Sequence, residues 1–324
     1  MFDELFSLRN LLQAWRKFRS GKTRKRDVVS FEYHLEDNIF SLYEEMTGGA
    51  YKHKAYKYFP LFDNKKRDIY KADVRDRIIH QIVYEYLLSL YEQVFISDSY
   101  SSREGKGHHK AVRTLQYFIK LGSGGKKDRC FVLKCDIKKY FDTIDHSILL
   151  RLMEREVVCP EVLSLIQEIV GSFNQKNEKE KGIPLGNITS QIFANVYLHP
   201  LDRYIKRELR CRFYVRYNDD FVIVSNNQNE LEAWREKIID FVHRTLALRI
   251  PVEKTSIRKV AWGIDFLGFV VLPDSVLLRN KTKGKIVGNI NERNMNSYMG
   301  VLAHCNSYHL KQKILSTFDD CFNI

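Results

Sequence analysis

Three aspartates stand where segments predicted to be β-strands end. Residues 131–136 alternate apolar and polar side chains, as a half-buried strand does, and the run ends on Asp136. Two β-rich runs, 213–217 and 221–224, flank the Asn-Asp-Asp segment 218–220. Because Asn and Asp tolerate the positive φ angles of a tight turn, this pattern predicts a β-hairpin with the acids at its tip.

These carboxylates suit metal-dependent phosphoryl transfer. Hard divalent cations take oxygen ligands and bind phosphate together with carboxylates. Two such cations, roughly 3.5 to 4 Å apart, activate an attacking hydroxyl and stabilise the leaving oxygen. A lone Asp-Asp turn is more often structural, because Asp is a good turn residue. A third Asp at the end of another apolar strand, in a basic chain, favours the catalytic interpretation.

The charge of the chain points to a polyanionic partner. Its 324 residues include 53 Lys and Arg against 40 Asp and Glu, a net charge of +13, and 44% are hydrophobic. The apolar content excludes a disordered chain. The positive charge favours nucleic acid first and an acidic membrane surface second, while charge for solubility alone is the plain alternative.

Targeting signals and paired cysteines are not found in the sequence. The longest apolar run, 266–272, is far shorter than the roughly 18 residues of a membrane-spanning helix. The first residues are acidic where a signal peptide is basic. The six cysteines lack the Cys-x-x-Cys spacing of a zinc site. We therefore expect reduced thiols and a cytoplasmic protein with no membrane partner.

Periodicity places the elements around the acidic segments. The first twenty residues are predicted to form one amphipathic helix, and the basic stretch 16–26 is either a solvated linker or a phosphate-contacting segment. Residues 51–72 are predicted as short strands and turns, and 74–92 as a helix. The segment 122–125 is predicted to be a flexible loop before a strand, since it lacks the ending of a phosphate-cradling P-loop.

An ordered series of motifs resembles those of reverse transcriptases. Tyr217 to Asp220 is similar to the Tyr-x-Asp-Asp box of that family, and 131–145 resembles its first catalytic motif, particularly in group II intron-like enzymes. The other resembling segments, in chain order, are 65–77 and 99–107 in the fingers, 182–191 with its Gly-x-x-x-Ser pattern, and 253–255 and 266–269 in the palm. One Asp-Asp pair is weak evidence, whereas the whole series is specific.

The resemblance implies an α+β fold, a right-hand polymerase with fingers, an antiparallel-sheet palm and a short helical thumb. The expected division is a helical extension at 1–50, fingers at 51–128, a palm at 129–275 with an interleaved fingers segment at about 147–182, and a thumb at 276–324. It also implies a protein encoded by a bacterium, an archaeon or a phage.

The same resemblance implies the catalytic residues. Asp136 and Asp219 are expected to bind metal, with Asp220 as a supporting carboxylate and Ile137 in the same set. The implied cofactor is a pair of Mg²⁺ ions, with Mn²⁺ as the substitute. Lys254 resembles a late-palm lysine that protonates the departing pyrophosphate, and an ordinary exposed lysine is the alternative.

Further residues are expected to contact the nucleotide and the strands. Phe141 resembles the steric gate that excludes a ribose 2′-hydroxyl. The remaining nucleotide-binding residues implied by the resemblance are Lys65, Arg67, Leu185, Gly186 and Gln191, with Lys66 competing for the role of Lys65. The residues implied for primer or template are Arg103, Tyr217, Phe266, Leu267 and Gly268, where a solvated loop at 102–103 and a buried strand at 266–269 are the alternatives.

The middle motif indicates a subtype. Intron-type and retron enzymes usually carry Gln-Gly-x-x-x-Ser-Pro, whereas this chain has Leu185 and Gly186 followed by Ser190 and Gln191. That form is associated with diversity-generating retroelements, whose enzymes copy template RNA with errors opposite adenine. The implied partners are template RNA, the RNA/cDNA duplex, dNTPs and a small accessory protein. Asn218 departs from the Met more usual there.

Two other functions remain open from the sequence. A retron or antiphage-defence reverse transcriptase would copy a structured RNA accurately or synthesise DNA without a template. A catalytically silent RNA-binding protein would use the basic surface alone, and the intact Asp136, Asp219 and Asp220 argue against it.

Overall fold

The structure is a computed structural model that describes residues 1–63, 65–125, 129–174 and 179–322. Side chains are described within these ranges except at Asp63, Lys65 and 317–322. None of the helices in these ranges is long and apolar enough to cross a membrane.

Helices and short strands alternate along the chain. The α-helices are α1 (Phe2–Leu5), α2 (Leu8–Arg19), α3 (Arg26–Tyr33), α4 (Leu35–Thr47), α5 (Val74–Tyr91), α6 (His108–Ser123), α7 (Tyr140–Thr143), α8 (His146–Met153), α9 (Pro160–Gly171), α10 (Ile188–Arg203), α11 (Gln228–Leu246), α12 (Asn280–Asn289), α13 (Met295–Leu302) and α14 (Tyr308–Phe322). The strands are β1 (Lys57–Asp63), β2 (Lys65–Lys71), β3 (Phe131–Asp136), β4 (Phe213–Tyr217), β5 (Asp220–Ser225), β6 (Ser256–Lys259), β7 (Ile264–Phe266), β8 (Phe269–Val271) and β9 (Val276–Leu278). A π-helical turn spans Tyr204–Glu208, and 3₁₀ turns span Val252–Lys254 and Val260–Trp262.

The chain forms two compact units, each built from separate segments. The first unit comprises residues 1–96, 138–202 and 241–249, and the second comprises 97–137, 203–240 and 250–324. The division into fingers, palm and thumb stays a prediction.

The second unit contains a four-stranded antiparallel sheet with the order β4-β5-β3-β6. The Val-Ile-Val run of β5 is buried, as expected for a central strand rich in β-branched residues. Apolar residues of α6 share a core with this sheet, among them Leu115 and Ile119 beside Val222 and Val224. The predicted antiparallel sheet and the hairpin of β4 and β5 are confirmed.

A three-stranded sheet, β7-β8-β9, also lies in the second unit. Leu267 and Gly268 form the turn between β7 and β8, with φ angles of 50° and 87°. Two consecutive positive φ angles are typical of a type I′ hairpin turn. The single buried strand at 266–269 that was the alternative to a primer-contacting segment is therefore not formed, because Phe266 and Phe269 pair with each other across the turn.

Two helix boundaries differ from the sequence prediction. The single helix expected over the first twenty residues is two helices, because the chain breaks at Phe6 and Ser7, where the Ser7 hydroxyl caps α2 by accepting a bond from the Asn10 N–H. The loop expected at 122–125 is wrong in its first half, since α6 runs to Ser123 and ends at Gly124 in the left-handed conformation. Gly122 lies within α6, where a Cβ would be 3.2 Å from Val224 Cγ1 and 3.5 Å from Phe213 Cδ2, so its missing side chain permits close packing.

The first unit contains the N-terminal helices, the β1-β2 hairpin, α5 and α7 to α10. The helix predicted at 74–92 and the strands predicted within 51–72 are confirmed. The basic stretch 16–26 is not a free linker, since its first residues lie in α2 and Arg26 begins α3. Arg19 forms an ion pair with Glu32 at 2.6 Å.

Candidate active site

The sheet of the second unit brings the three predicted carboxylates to one edge. Asp136, the last residue of β3, is the direct partner of Asp220, the first residue of β5. The Cα atoms of directly opposite residues in an antiparallel pair lie about 4.5 to 5.5 Å apart. Asp219 precedes Asp220 in the turn, and its carbonyl oxygen accepts a bond from the Ile137 N–H at 3.4 Å.

The hairpin tip is held by residues that sequence reasoning missed. Asn218 adopts the left-handed conformation, with φ at 52°. Its side-chain oxygen accepts a hydrogen bond from the Ser101 hydroxyl, and its carbonyl oxygen accepts one from Arg216 Nη1 at 3.2 Å. Arg216 is 0% exposed. The signal in the sequence was the arginine itself. A charged residue inside the apolar run of β4 is expected to be buried, and a buried arginine almost always has a partner.

Two lysines contact the carboxylates. Lys254 Nζ lies 2.5 Å from Asp136 Oδ1, so the predicted Lys254 does reach the acidic cluster. Lys134 Nζ lies 3.2 Å from Asp220 Oδ2 and was not predicted. Alternate residues of a strand point to one face, so the spacing of Lys134 and Asp136 was the signal that could have found it.

Asp220 is in an unusual electrostatic environment. Burial raises the pKa of its carboxyl to about 6, which the Lys134 ammonium opposes and the Asp219 and Asp136 carboxylates reinforce. Its Oδ1 atom is buried and has no hydrogen-bond partner among the described residues, while Oδ2 faces Lys134. An orphaned buried carboxylate oxygen is costly, so its presence suggests a further ligand.

The carboxylate oxygens at this edge of the sheet suit a hard divalent cation, although the side chains are not arranged around a common metal position. Within the described ranges, no three His, Cys, Asp or Glu side chains stand close enough together to hold a metal ion. The side chain of Ile137 is apolar and buried, so only its main chain could contact a cation. The carboxylate oxygens of Asp136, Asp219 and Asp220, with the orphaned Asp220 Oδ1, are the chemistry that such an ion prefers.

A polar cleft of about 300 Å³ opens beside Asp136. Its lining includes Lys134, Lys254, Arg258 and Asp265. The cleft therefore presents both cationic and anionic groups next to the carboxylates.

Leu185 and Gly186, in the first unit, lie against β2. The Leu185 carbonyl oxygen accepts a bond from the Tyr70 N–H at 2.9 Å. Gly186 has a φ of 111°, and a Cβ built there would lie 2.8 Å from Ile69 Cγ2. The missing side chain of Gly186 thus lets its backbone lie close to Ile69 in β2, another part of the same protein. Arg67 is exposed on the same strand, two residues before Ile69.

The other predicted nucleotide-binding residues also lie in the first unit. Phe141 is half-buried in α7, with its ring 5.4 Å from that of Tyr140, which is a core residue. Gln191 is exposed near the start of α10. Lys65 lies in β2, and its side chain is outside the described part of the structure. The steric-gate and triphosphate-binding roles stay predictions.

The predicted primer and template residues differ in accessibility. Arg103 is only 9% exposed, and its Nη1 donates to the Ser99 carbonyl oxygen at 2.9 Å, so a solvated loop is the wrong description of this residue. Phe266 is 0% exposed and is the last residue of β7, directly before the hairpin turn. Tyr217, Leu267 and Gly268 are half-buried, and Tyr217 pairs directly with Asp220.

Comparison with known proteins identifies the family. The family described as reverse transcriptase (RNA-dependent DNA polymerase) matches residues 53–271. The chain therefore belongs to the reverse transcriptase family of RNA-directed DNA polymerases.

Relatives share sequence over most of this chain. It is 26% identical to Protein YkfC of Escherichia coli over 268 residues, covering 70% of this chain and 69% of that protein. It is 24% identical to the group II intron-encoded protein LtrA of Lactococcus lactis over 337 residues, covering 82% of this chain and 54% of that protein. The chain thus spans about half the length of the intron-encoded relative.

Solved structures share the fold. The telomerase of Candida albicans, solved with a fragment of telomeric RNA, superposes with a TM-score of 0.55 at 12% identity, covering 78% of this chain and 54% of the telomerase chain. The apo telomerase of Candida tropicalis truncated from its C-terminal domain gives a TM-score of 0.54 at 12% identity, covering 76% of this chain and 60% of that chain. The predicted α+β polymerase fold is confirmed.

Proposed function

We propose that this protein copies a template RNA into cDNA by adding deoxynucleoside monophosphates to a primer 3′-hydroxyl. The observation that carries the proposal is the pairing of Asp136 with Asp220, with Asp219 beside them in the turn, in a chain that belongs to the reverse transcriptase family. The substrates are a template RNA, the growing RNA/cDNA duplex and dNTPs.

The acidic edge would hold the cofactor. Asp136, Asp219 and Asp220, with the main chain of Ile137, are the proposed ligands of Mg²⁺, for which Mn²⁺ is the expected substitute. Bound divalent cations would activate the primer hydroxyl and stabilise the charge that develops on the leaving pyrophosphate. The protein contributes two carboxylates placed opposite each other by the strand register and a third placed by the turn.

Lys254 is the proposed general acid. Its ammonium lies 2.5 Å from Asp136 Oδ1, in the polar cleft beside that carboxylate. A lysine there keeps a proton on Nζ close to where the leaving oxygen would develop charge, and delivering it would make pyrophosphate a better leaving group.

Positive charge would hold the nucleotide and the strands. Arg67 is exposed on β2, where a guanidinium can contact phosphate oxygens in a bidentate manner, and we propose Lys65 as its companion. Phe141 is proposed to exclude ribonucleotides. The net charge of +13 supports duplex binding through phosphates, which carries no sequence information and weakens with salt.

The subtype that we propose is the error-prone enzyme of a diversity-generating retroelement. Leu185 places a half-buried aliphatic side chain where intron-type and retron enzymes usually carry glutamine, and its backbone is fixed to Tyr70. An apolar side chain beside the nascent base pair offers no hydrogen bond by which to check that pair. We also propose that a small accessory protein supplies template choice, and that the protein acts in the cytoplasm.

An accurate reverse transcriptase is the second candidate. The similarity to LtrA, which is encoded by a group II intron, favours this function. A retron or antiphage-defence enzyme would give the same experimental result, since it too would copy RNA without errors concentrated at adenine.

The test is to sequence the cDNA made in Mg²⁺ from a primed RNA of known sequence, with any accessory protein encoded beside the gene. We expect errors concentrated at template adenines, because base-pair checking is weakened there. Accurate cDNA, or errors spread evenly over all template bases, would support the second candidate. Absence of cDNA under every condition would contradict polymerase activity and leave an RNA-binding protein.

Substituting the residue before Gly186 should change accuracy. Leu185→Gln is expected to lower the error frequency opposite adenine by about tenfold, because one added hydrogen bond of about 1.4 kcal/mol corresponds to that factor in discrimination. The measurement is the same cDNA sequencing. Leu185→Met is the matched control, since it keeps an apolar side chain of similar volume. An unchanged error frequency in Leu185→Gln would count against a role in fidelity.

A further inference from the structure

Lys134 contacts three groups from two different sheets of the second unit. Its Nζ lies 3.2 Å from Asp220 Oδ2 at the start of β5. The same Nζ donates a hydrogen bond to the carbonyl oxygen of Asp265 in β7 at 2.8 Å, and it lies 5.9 Å from the centroid of the Phe266 ring. One ammonium group therefore connects the catalytic hairpin with the hairpin that turns at residues 267–268.

The strand register explains this position. Lys134 pairs with Val222 on one side and with Ser256 on the other, so it stands in the middle of the four-stranded sheet. Its side chain points to the same face as Asp136, two residues later. From there its four-carbon stem reaches both the acidic edge and β7.

Further bonds connect the turn at 267–268 and Asp265 with the start of α12. The Asp265 carboxylate forms an ion pair with Arg279 Nη2 at 2.7 Å. The Arg279 N–H donates to the Gly268 carbonyl oxygen at 3.1 Å, and so does the Thr282 hydroxyl, also at 3.1 Å. The backbone of Asp265 contacts Lys134 while its side chain contacts the residue that braces the turn, so the turn has a defined position relative to Lys134.

We propose that Lys134 is a positioning residue that aligns the Asp220 carboxylate with the hairpin turn at 267–268, which would support the primer end. By holding Oδ2, Lys134 orients the carboxylate so that the buried Oδ1, which has no partner among the described residues, is the oxygen presented to a ligand. This inference rests on the proposed polymerase function, because the alignment matters only if Asp220 and the turn act on one substrate.

A comparison with Lys254 indicates that Lys134 does more than neutralise the charge of the Asp220 carboxylate. Lys254 also neutralises a carboxylate, that of Asp136, but both side chains of that pair are 38% exposed. Lys134 and Asp220 are more buried, at 28% and 23%, and Lys134 has the second bond to Asp265. A partly buried ammonium with two partners holds a fixed geometry better than an exposed pair does.

The test compares Lys134→Met with Lys134→Arg and with Lys237→Met, an exposed lysine on α11 that serves as the matched control. Steady-state primer extension gives kcat and the KM for primer–template. Hydrogen–deuterium exchange of the peptide 264–271 reports the turn without any turnover. Thermal melting checks that each variant is folded, and Lys134→Gln replaces Lys134→Met if the latter does not fold.

We expect Lys134→Met to lower kcat by about 100-fold, the usual consequence of misplacing a reacting group by about 1 Å. Amide exchange within 264–271 should become faster, Lys134→Arg should restore a substantial part of kcat, and Lys237→Met should behave as wild type. Wild-type exchange in a folded Lys134→Met variant would overturn the proposal, and so would unchanged kcat. A wild-type protein that makes no cDNA would instead contradict the polymerase function, and the exchange experiment would still report whether Lys134 holds the turn.

Discussion

Asp219→Asn is expected to abolish cDNA synthesis and to leave the fold intact. Asn occupies tight turns as readily as Asp does, and the Asp219 backbone contact to Ile137 does not depend on the side chain. The substitution removes one negative charge from the acidic edge, where oxygen anions are needed to bind divalent cations. We therefore expect a fall in rate of roughly a thousandfold or more, the scale of losing a key electrostatic group.

Primer extension on a primed RNA measures this effect, and a thermal melting curve checks the fold. Asp37→Asn, at an exposed position on α4, is the matched control and should retain full activity. Full activity of Asp219→Asn together with a normal melting curve would show that the carboxylate is not part of the reaction.

Asp220→Asn is expected to stabilise the protein while it removes activity. Burial raises the pKa of this carboxyl from 3.8 to about 6 in the folded state. A raised carboxyl pKa means that the folded state binds the proton more tightly than the unfolded state between about pH 4 and pH 6, so the free energy of unfolding falls as pH rises through that window. Above pH 6, the ionised Asp220 costs stability, and Asn has no charge to bury.

At pH 7.5 and without divalent cations, Asp220→Asn should raise the free energy of unfolding by about 3 kcal/mol, since the pKa rises from 3.8 to about 6 and one pKa unit corresponds to about 1.4 kcal/mol. Below about pH 4 the difference should vanish, because the wild-type carboxyl is then protonated in both states. Urea unfolding at the two pH values measures it, with Asp37→Asn, which also removes one negative charge at an exposed position, as the control. A less stable Asp220→Asn variant at pH 7.5 would show that the ion pair with Lys134 outweighs the cost of burial.

These two aspartates are adjacent in sequence and differ in their surroundings. Asp220 begins a buried strand and packs against Lys134, so its carboxylate carries a cost of burial that a bound cation would offset. A buried carboxylate retained at such a cost is typical of a functional site rather than of a structural one. This difference is visible only in the structure, because the sequence does not show which of the two adjacent acids is buried.

The sequence by itself determined the hairpin that carries Asp219 and Asp220, the strand that ends on Asp136, and the family. Each of these depends on local patterns: alternation with a period of two, turn residues between β-rich runs, and motifs in a fixed order. Such signals need no knowledge of distant partners, so they are readable in one chain.

The tertiary structure alone decided which side chains surround the acids. Lys134 meets the carbonyl of Asp265, which is 131 residues away, and Ser101 meets Asn218 across 117 residues. A strand pattern shows which face a side chain takes, but the pairing register between strands decides what stands opposite it.

Tertiary packing also overrode two local signals. Gly122 lies in α6, where its missing side chain lets the helix pack closely against Val224, and Arg103 is buried against the Ser99 carbonyl. The local preferences of glycine for loops and of arginine for solvent underlie the loop predicted at 122–125 and the solvated loop that was the alternative at 102–103. Long-range contacts decided otherwise, because the free energy of packing and hydrogen bonding exceeds the fraction of a kcal/mol to about 1 kcal/mol by which local propensities differ.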